Sequence, residues 1–119
     1  MHWRDEYDVH ADAARRAVDA RPVAALIEDV RRGRYGDYYS IWYSIAERAS
    51  LGNAGWVLFD VLKRNIDYLY RYHCAAALIA LLGSAEFEPV QLSGGPAHEM
   101  PRHLERLRGL LEACLGPRG

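Results

Sequence analysis

The sequence predicts an all-α domain, built as a short solenoid of stacked helix pairs. Apolar residues recur at spacings of three and four over most of the 119 residues, which is the period of amphipathic helices. Capping and breaking residues divide this pattern into segments, and a self-similarity of about thirty positions relates the segments to one another. The strand-like part of the sequence is limited to residues 88–92, so helices dominate the prediction.

The first three helices are predicted from apolar spacing and candidate caps. Residues 3–20 place an apolar stripe on one face, formed by Trp3, Tyr7, Ala11, Ala14 and Val18. Pro22 suits the first turn of a second helix, which runs to about residue 32 and is ended by Gly33. Asp37 is the expected N-cap of a third helix, which Leu51 and Gly52 close.

Three further helices are predicted on either side of an insertion. Asn53 is the expected N-cap of a fourth helix and Asp67 that of a fifth, which Gly83 ends. Residues 84–100 break the helical pattern with glycines and prolines, as either a long loop or a short extended excursion. Pro101 opens the last helix, whose core-facing residues are Leu104, Leu107, Leu110, Leu111 and Cys114.

An internal repeat organises these helices into pairs. A shift of about thirty positions aligns Asp37 with Asp67 and Trp42 with Tyr72, and such self-similarity is typical of stacked helical repeats. The chain then divides into helix pairs at about 3–33, 34–64 and 65–117, with 84–100 as an insertion loop in the third. Since about three units are needed for a stable stack, residues 1–119 are predicted to form a single helical-repeat domain.

The segment AGWVLFDVLKRNIDYLYRYHCAAALIALLG, residues 54–83, resembles the junction between two HEAT-type repeats. The matching residues are Leu58, Leu62, Lys63, Asp67, Arg71, Ala75, Ala76, Leu78, Leu81, Leu82 and Gly83. The resemblance implies a right-handed α-α solenoid of about three HEAT-like helix pairs. The chain departs from the pattern in the second unit, where Ile41 stands in place of the arginine, and in lacking the proline usual in the outer helix.

Composition and charge argue against several functional classes. Fifteen Lys+Arg against 16 Asp+Glu give a net charge of −1, whereas nucleic-acid binders normally carry a basic excess. No apolar run approaches the roughly 20 residues that span a bilayer, and the acidic N-terminus MHWRDEYDVH is unlike a signal peptide. Cys74 and Cys114 lie in apolar helical patterns, as buried thiols in a reducing compartment do. We therefore expect a cytoplasmic protein without nucleic-acid or membrane partners.

Aromatic residues are concentrated between residues 35 and 72, and some of them lie off the apolar stripes of their helices. The off-stripe candidates are Tyr39, Tyr43 and Tyr70. Two interpretations stay open. The rings fill gaps between helices with their hydroxyls in water, or they are exposed anchors for a protein partner, a role in which tyrosine and tryptophan are common.

A second candidate surface is predicted on the second and fourth helices, which we call the inner helices of the repeats. Trp56, Phe59, Asp60 and Lys63 share the face opposite the expected core, and Glu28 and Arg31 occupy equivalent positions one repeat earlier. Each inner helix thus carries an acid followed three residues later by a base, which is either an ordinary ion pair or part of a binding surface. Apolar rings among such charges indicate that something covers them.

Catalytic and metal-binding patterns are poorly developed. In HEMPRH the two histidines, His98 and His103, are five positions apart, and Pro101 interrupts any helix through them. One His-Glu pair is fewer than HEAT-type iron hydroxylases use. His73 and Cys74 are adjacent on a helix and point in different directions. No catalytic residue, metal site or cofactor is predicted.

The sequence therefore favours a non-enzymatic module that binds another protein. In size, charge and single-domain design it resembles small bacterial immunity proteins, which neutralise a cognate toxin by occluding it. The acidic residues near the start of the chain either interact with the dipole of the first helix or complement a basic toxin; they are Asp5, Glu6, Asp8 and Asp12. The alternatives are an adaptor or assembly subunit of a larger complex and a metal-dependent enzyme of the HEAT type.

Overall fold

The computed structural model describes residues 3–94 and 99–118, with side chains from residue 8 onward. The described residues form α-helices and no β-strand, which confirms the all-α class. The helices are α1 (Trp3–Asp19), α2 (Val23–Arg31), α3 (Ser40–Arg48), α4 (Leu51–Leu62), α5 (Tyr68–Leu82), α6 (Pro89–Ser93) and α7 (Met100–Leu115). None of these helices is long and apolar enough to cross a membrane.

The helices pack in two rows around a common core. Helix α3 lies between α1 and α5, and α4 lies between α2 and α7. The most extensive contact joins α4 to α5, and the short helix α6 fills the space between α5 and α7. The largest fully buried side chains come from α2 to α7; they are Trp42, Leu26, Ile45, Leu58, Leu62, Leu78, Leu92, Leu107 and Leu111. Each such burial contributes about 1.5–3 kcal/mol, so this core supplies much of the stability of the fold.

Helix α5 begins and ends where its local sequence predicts. The carboxylate of Asp67 accepts a hydrogen bond from the Leu69 backbone N–H at 2.8 Å, as an N-cap does. Gly83 follows the last turn with φ of 65°, a left-handed conformation that glycine adopts without steric cost. Both predicted caps of this helix are confirmed.

The start of α3 differs from the prediction. Asp37 does not cap the helix, because Tyr38 and Tyr39 follow it with φ of 58° and 57° and the helix begins only at Ser40. Left-handed residues cannot continue into a right-handed helical turn, so the helix starts about one turn later than the aspartate suggested.

The start of α4 also corrects the prediction. Leu51 and Gly52 do not close α3 but form the first turn of α4, and Asn53 is not its N-cap. The N-cap is Ser50, whose hydroxyl accepts from the Asn53 N–H at 3.3 Å while the Asn53 side chain accepts from the Ser50 N–H at 2.9 Å. This reciprocal capping box satisfies two backbone donors, which explains why Asn53 lies inside the helix.

The insertion contains a helix rather than a strand. Residues 88–92, with their strand-like pattern, lie largely within α6, where Pro89 occupies the first turn and Gln91 accepts from the Glu88 N–H at 3.0 Å. Phe87 and Leu92 are buried in the core on either side of this turn. A helix is favoured because it brings both apolar side chains inward while the backbone is satisfied locally.

The two cysteines differ in environment. Cys74 is buried, and its thiol donates to the Leu58 carbonyl at 3.3 Å. Burial raises the pKa of the Cys74 thiol, since the thiolate would lose its hydration there. Cys114 is exposed, so the expectation that it faces the core is wrong. The apolar stripe of α7 is therefore narrower than the sequence pattern implied.

Arg64 ties the end of α2 to the junction between α4 and α5. Its guanidinium donates to the carbonyls of Val30 and Arg31 at 2.9 and 2.5 Å, and to the Tyr35 hydroxyl at 2.9 Å. The last carbonyls of a helix have no partner within the helix, so a cation there satisfies them and opposes the negative end of the helix dipole. One side chain thus connects three segments of the chain.

Replacing Arg64 with methionine is expected to destabilise the fold by about 2–3 kcal/mol, because charge-assisted hydrogen bonds are lost while the side-chain volume is largely kept. Urea denaturation monitored by circular dichroism measures this change. The matched control is Arg16→Met on the exposed surface of α1, expected to change stability by less than about 0.5 kcal/mol. Equal stability of the two variants would contradict a structural role for Arg64.

Candidate binding site

Eight aromatic rings from α3, α5 and the segment before α3 form one connected aromatic cluster. Its members are Tyr35, Tyr39, Trp42, Tyr43, Tyr68, Tyr70, Tyr72 and His73, with neighbouring ring centroids between 4.1 and 6.2 Å apart. The cluster extends from Trp42, only 1% exposed, to Tyr68, which is 44% exposed. It therefore joins the core to the surface of the row formed by α1, α3 and α5.

An open cleft of about 410 Å³ lies beside this cluster. We call it the aromatic cleft; it is lined by Ala11, Asp12, Arg15, Tyr38, Tyr39, Ser40, Tyr43 and His73. Three helices of one row contribute, together with the turn before α3. Its volume falls within the range of roughly 300–1,000 Å³ that is common for ligand pockets.

The left-handed turn of Tyr38 and Tyr39 places aromatic rings at this cleft. Such a backbone conformation costs a non-glycine residue about 1 kcal/mol or more, and here two consecutive tyrosines adopt it. The Tyr39 ring stacks on His73, with centroids 4.1 Å apart and planes 18° from parallel. Strained backbone is found preferentially at binding sites, where the surrounding structure holds it in place.

His73 is the central ring of the cleft. It contacts Tyr39, Tyr43 and Tyr72, and its Nδ1 lies 3.3 Å from the Tyr43 hydroxyl. Burial lowers the pKa of His73 below its ordinary value of 6.5, because the imidazolium would lose hydration among these rings. At neutral pH the imidazole is therefore uncharged and can accept a hydrogen bond from Tyr43.

A second hollow of about 200 Å³ continues from the cleft between α3 and α5. We call it the alanine groove; it is lined by Trp42, Tyr43, Ala46, His73, Ala76, Ala77 and Ala80. Tyr43 and His73 line both depressions and so mark the boundary between them. Small side chains leave room for an apolar group of a partner to approach the helix backbones.

Tyr39, Tyr43 and Tyr70, predicted as binding residues, come together in the aromatic cluster. Tyr43 is 48% exposed, while Tyr39 and Tyr70 are half-buried. Tyr70 packs between Tyr39 and Tyr35, at centroid distances of 6.0 and 5.1 Å. Tyr70 thus fills space between elements, whereas about half of the Tyr43 side chain is exposed to solvent.

The surface of α4 that was predicted to bind a partner is less exposed than the sequence suggested. Phe59 is 3% exposed and belongs to the core, so its expected place opposite the core is wrong. The reason is that α4 is contacted by α2, α5 and α7, and a helix with three neighbours buries more than one narrow stripe. Trp56 is half-buried, packs edge-on against Phe59, and has the Arg118 guanidinium 5.1 Å from its ring centroid.

The predicted acid–base pair within one inner helix forms on α2, whereas on α4 the acid and the base have other partners. Arg31 pairs with Glu28, with Nε 2.7 Å from Oε2, as expected. Asp60 pairs with Arg118 at 2.5 Å, whereas Lys63 lies over the Phe59 ring. Hydrogen bonds from Arg31 and Arg32 lower the pKa of Glu28 to about 2, and that from Arg118 lowers the pKa of Asp60.

The histidine, cysteine and acidic side chains that the structure describes do not form a metal site. In residues 3–94 and 99–118, no three or more His, Cys, Asp or Glu side chains are arranged to hold a metal ion. His103 is buried and lies near the Arg106 guanidinium, with 3.4 Å between the nitrogen atoms. His98, the other histidine of the near-motif, lies outside the described residues, and of Asp5 and Glu6 only the backbone is described.

Sequence reasoning missed His73 and Arg118. For His73 a signal was available, because the shift of about thirty positions that aligns Trp42 with Tyr72 also aligns Tyr43 with His73. Equivalent residues of stacked repeats lie side by side, and these two are in contact. Nothing in the local sequence pairs Arg118 with Asp60, 58 residues earlier.

Comparison of the chain with models of known protein families, with curated proteins and with solved structures finds no match. The function of the aromatic cleft is therefore inferred from its own residues. These offer ring faces, a neutral imidazole and an exposed carboxylate at Asp12. Such groups are suited to contact with protein side chains.

The pKa of His73 is expected to lie below 6.5 in the folded protein and to return toward 6.5 in concentrated urea. As the pH falls through 6.5 the unfolded chain takes up a proton first, so the contribution of neutral His73 to stability is present above pH 6.5 and is lost below it. An NMR titration of the imidazole carbons measures the pKa. Tyr43→Phe keeps the burial and should keep the low pKa; a folded-state value at or above 6.5 would contradict this environment.

Arg118→Gln is expected to raise the pKa of Asp60 toward its ordinary value of 3.8. The ion pair contributes stability above pH 3.8 and loses it as the pH falls through the lower folded-state value, so the variant should differ from the wild type at pH 7 and not in strong acid. NMR of the carboxyl carbons reports the titration. Arg102→Gln, on the exposed surface of α7, is the control and should leave Asp60 unchanged.

Proposed function

We propose that the chain is a non-enzymatic protein-binding module whose partner docks on the aromatic cleft and the alanine groove. The observation that carries this proposal is Tyr43, a ring 48% exposed at the boundary of the two depressions and held against His73. A tyrosine fixed in this way offers large contact area with little rotamer entropy left to lose. Residues of this kind dominate the energetics of protein interfaces.

The proposed architecture is a short HEAT-like solenoid of helix pairs α1/α2, α3/α4 and α5/α7, with α6 inside the insertion. Support comes from the two rows, in which α1, α3 and α5 alternate along the chain with α2, α4 and α7, while the main contacts between the rows join α2 to α3 and α4 to α5 rather than the two helices of one pair. The contact between Tyr43 and His73, 30 residues apart, agrees with stacking of neighbouring units.

The cleft is favoured over the α4 surface as the docking site because of how charges are distributed. On the α2, α4 and α7 row, Glu28, Asp60 and Glu105 are each paired with an arginine of the same chain. A partner would have to break these pairs or leave them as an exposed rim of little energetic value. The aromatic cleft instead combines ring faces with the exposed carboxylate of Asp12.

The partner proposed for this surface is a basic protein. Asp8 is exposed one turn before Asp12 on α1, and Asp37 is exposed directly before Tyr38, which lines the cleft. Arg15, the cation of the cleft, is bound to Asp19 and Glu47. The rim therefore attracts positive charge, which accelerates association and orients the encounter. Occlusion of a basic toxin, as by bacterial immunity proteins, is the specific role that we propose.

Tyr43→Ala is expected to weaken partner binding at least tenfold, which corresponds to about 1.4 kcal/mol, because hot-spot rings lose both contact area and shape on truncation. The melting temperature should change little, since the ring is half in water. A matched control is Tyr68→Ala, a ring of similar exposure that lies outside both depressions.

The measurement begins with a photo-crosslinking phenylalanine analogue at position 43, in the cells from which the chain derives, followed by mass spectrometry. The recovered partner is then titrated by calorimetry against the wild type, Tyr43→Ala and Tyr68→Ala. Inhibition of a toxic activity of that partner supports the immunity role, whereas a partner without such activity indicates an adaptor. Equal affinities of the two variants would rule out the aromatic cleft as the docking site.

A further inference from the structure

A third cleft, separate from the proposed docking surface, lies where α4 and α5 approach α7. We call it the basic cleft; it has a volume of about 510 Å³ and is lined by Leu62, Lys63, Arg64, Arg71, Gly94, Met100, Pro101 and Leu104. It shares no lining residue with the aromatic cleft or the alanine groove. The proposed function assigns it no role.

The basic cleft concentrates unpaired positive charge in a nearly neutral protein. None of Lys63, Arg64 and Arg71 forms an ion pair with a residue that the structure describes, and none of the described lining residues is acidic. Asp60 and Glu105 lie near enough to Lys63 for its charge to lower the pKa of each, but both are paired with arginines. The arginines that do form ion pairs lie elsewhere; they are Arg15, Arg21, Arg31, Arg32, Arg34, Arg108 and Arg118. Three like charges around one concave, partly apolar space focus a positive potential into it.

Two of the three cations have donors to offer a ligand. The terminal nitrogens of Arg64 are engaged by Val30, Arg31 and Tyr35. Arg71 uses its Nε for the Ser93 carbonyl at 3.1 Å, and the structure gives its terminal nitrogens no acceptor among the described residues; the same holds for the Lys63 ammonium. Arg71 and Lys63 can therefore bind an anion while Arg64 adds charge.

Gly94 keeps the Arg71 guanidinium accessible. A Cβ built at this position would lie 3.4 Å from Nη2 of Arg71, in van der Waals contact with it, so a larger side chain would cover this side of the guanidinium. The backbone φ of 134° also favours glycine. The absence of a side chain thus leaves space beside the group best suited to hold an anion.

The remaining walls are apolar and extend the cleft away from the cations. Met100, Pro101 and Leu104 supply the apolar surface, and a neighbouring hollow of about 240 Å³ continues past Leu104 to Phe59. Within that hollow the acidic residue, Glu105, is already paired with Arg108. An anion at Lys63 and Arg71 would therefore have room for an attached apolar body.

We propose that the basic cleft binds a small amphipathic anion, a phosphate or carboxylate group that carries an alkyl or aryl body. The anionic group lies between the Lys63 ammonium and the terminal nitrogens of Arg71, and the apolar body packs on Met100, Pro101 and Leu104. Charge-assisted hydrogen bonds supply orientation, and burial of the apolar body supplies the rest of the affinity.

The test is calorimetric titration of the full chain with four probes: octyl phosphate, octanoate, inorganic phosphate and octanol. Octyl phosphate and octanoate should bind at one site, at least tenfold more tightly than inorganic phosphate or octanol, because only they satisfy both parts of the cleft. Lys63→Gln and Arg71→Gln should each weaken octyl phosphate about tenfold. Arg16→Gln removes the same charge from the exposed surface of α1 and should leave the affinity unchanged.

Several outcomes would overturn the proposal. Failure of octyl phosphate and octanoate to bind excludes the site, and equal binding of inorganic phosphate excludes the apolar contribution. Equal effects of Lys63→Gln and Arg16→Gln would show that overall charge is responsible and not the cleft. Co-sedimentation of the protein with phosphatidylglycerol vesicles, without binding of octyl phosphate, would indicate a membrane surface instead. Thermal melts of Lys63→Gln and Arg71→Gln check that each variant retains the fold. Because Lys63 is exposed, its replacement should leave the melting temperature nearly unchanged.

Discussion

The hydrogen bonds of Arg64 connect the parts of the structure on which both proposed sites depend. Its guanidinium holds the carbonyl end of α2 and the Tyr35 hydroxyl, and Tyr35 in turn contacts Trp42 and Tyr70 of the aromatic cluster. The same charge lines the basic cleft. Because the helix carbonyls and a half-buried cation satisfy each other, the two rows of helices are held in one arrangement around them.

The net charge of −1 conceals an uneven distribution of charge over the surface. Arginine–carboxylate pairs neutralise much of the row formed by α2, α4 and α7, as at Glu28 and Asp60. Near the aromatic cleft the exposed carboxylates include Asp12, whereas in the basic cleft none of the three cations forms an ion pair with a carboxylate that the structure describes. Opposite charges on the two surfaces suit the two chemically different ligands that we propose for them.

A residue of the same chain, Arg118, covers part of the α4 surface that the sequence predicted to be free for a partner. Trp56 and Asp60, which the sequence placed among exposed binding candidates, are both contacted by Arg118 after the end of α7. One guanidinium lies over the indole ring and neutralises the carboxylate, as a partner's arginine would do. The protein thus satisfies within its own chain the groups that appear in the sequence as an unsatisfied face.

The sequence by itself determined the all-α class, the caps of α5 at Asp67 and Gly83, and the Glu28–Arg31 pair. These features depend on residues within about four positions of one another, so local spacing is sufficient to predict them. Only the tertiary structure decided that Phe59 is buried, that Tyr43 meets His73 and that Arg118 covers Trp56. Those contacts join residues from separate helices and segments, whose relative placement follows from how several apolar faces pack at once.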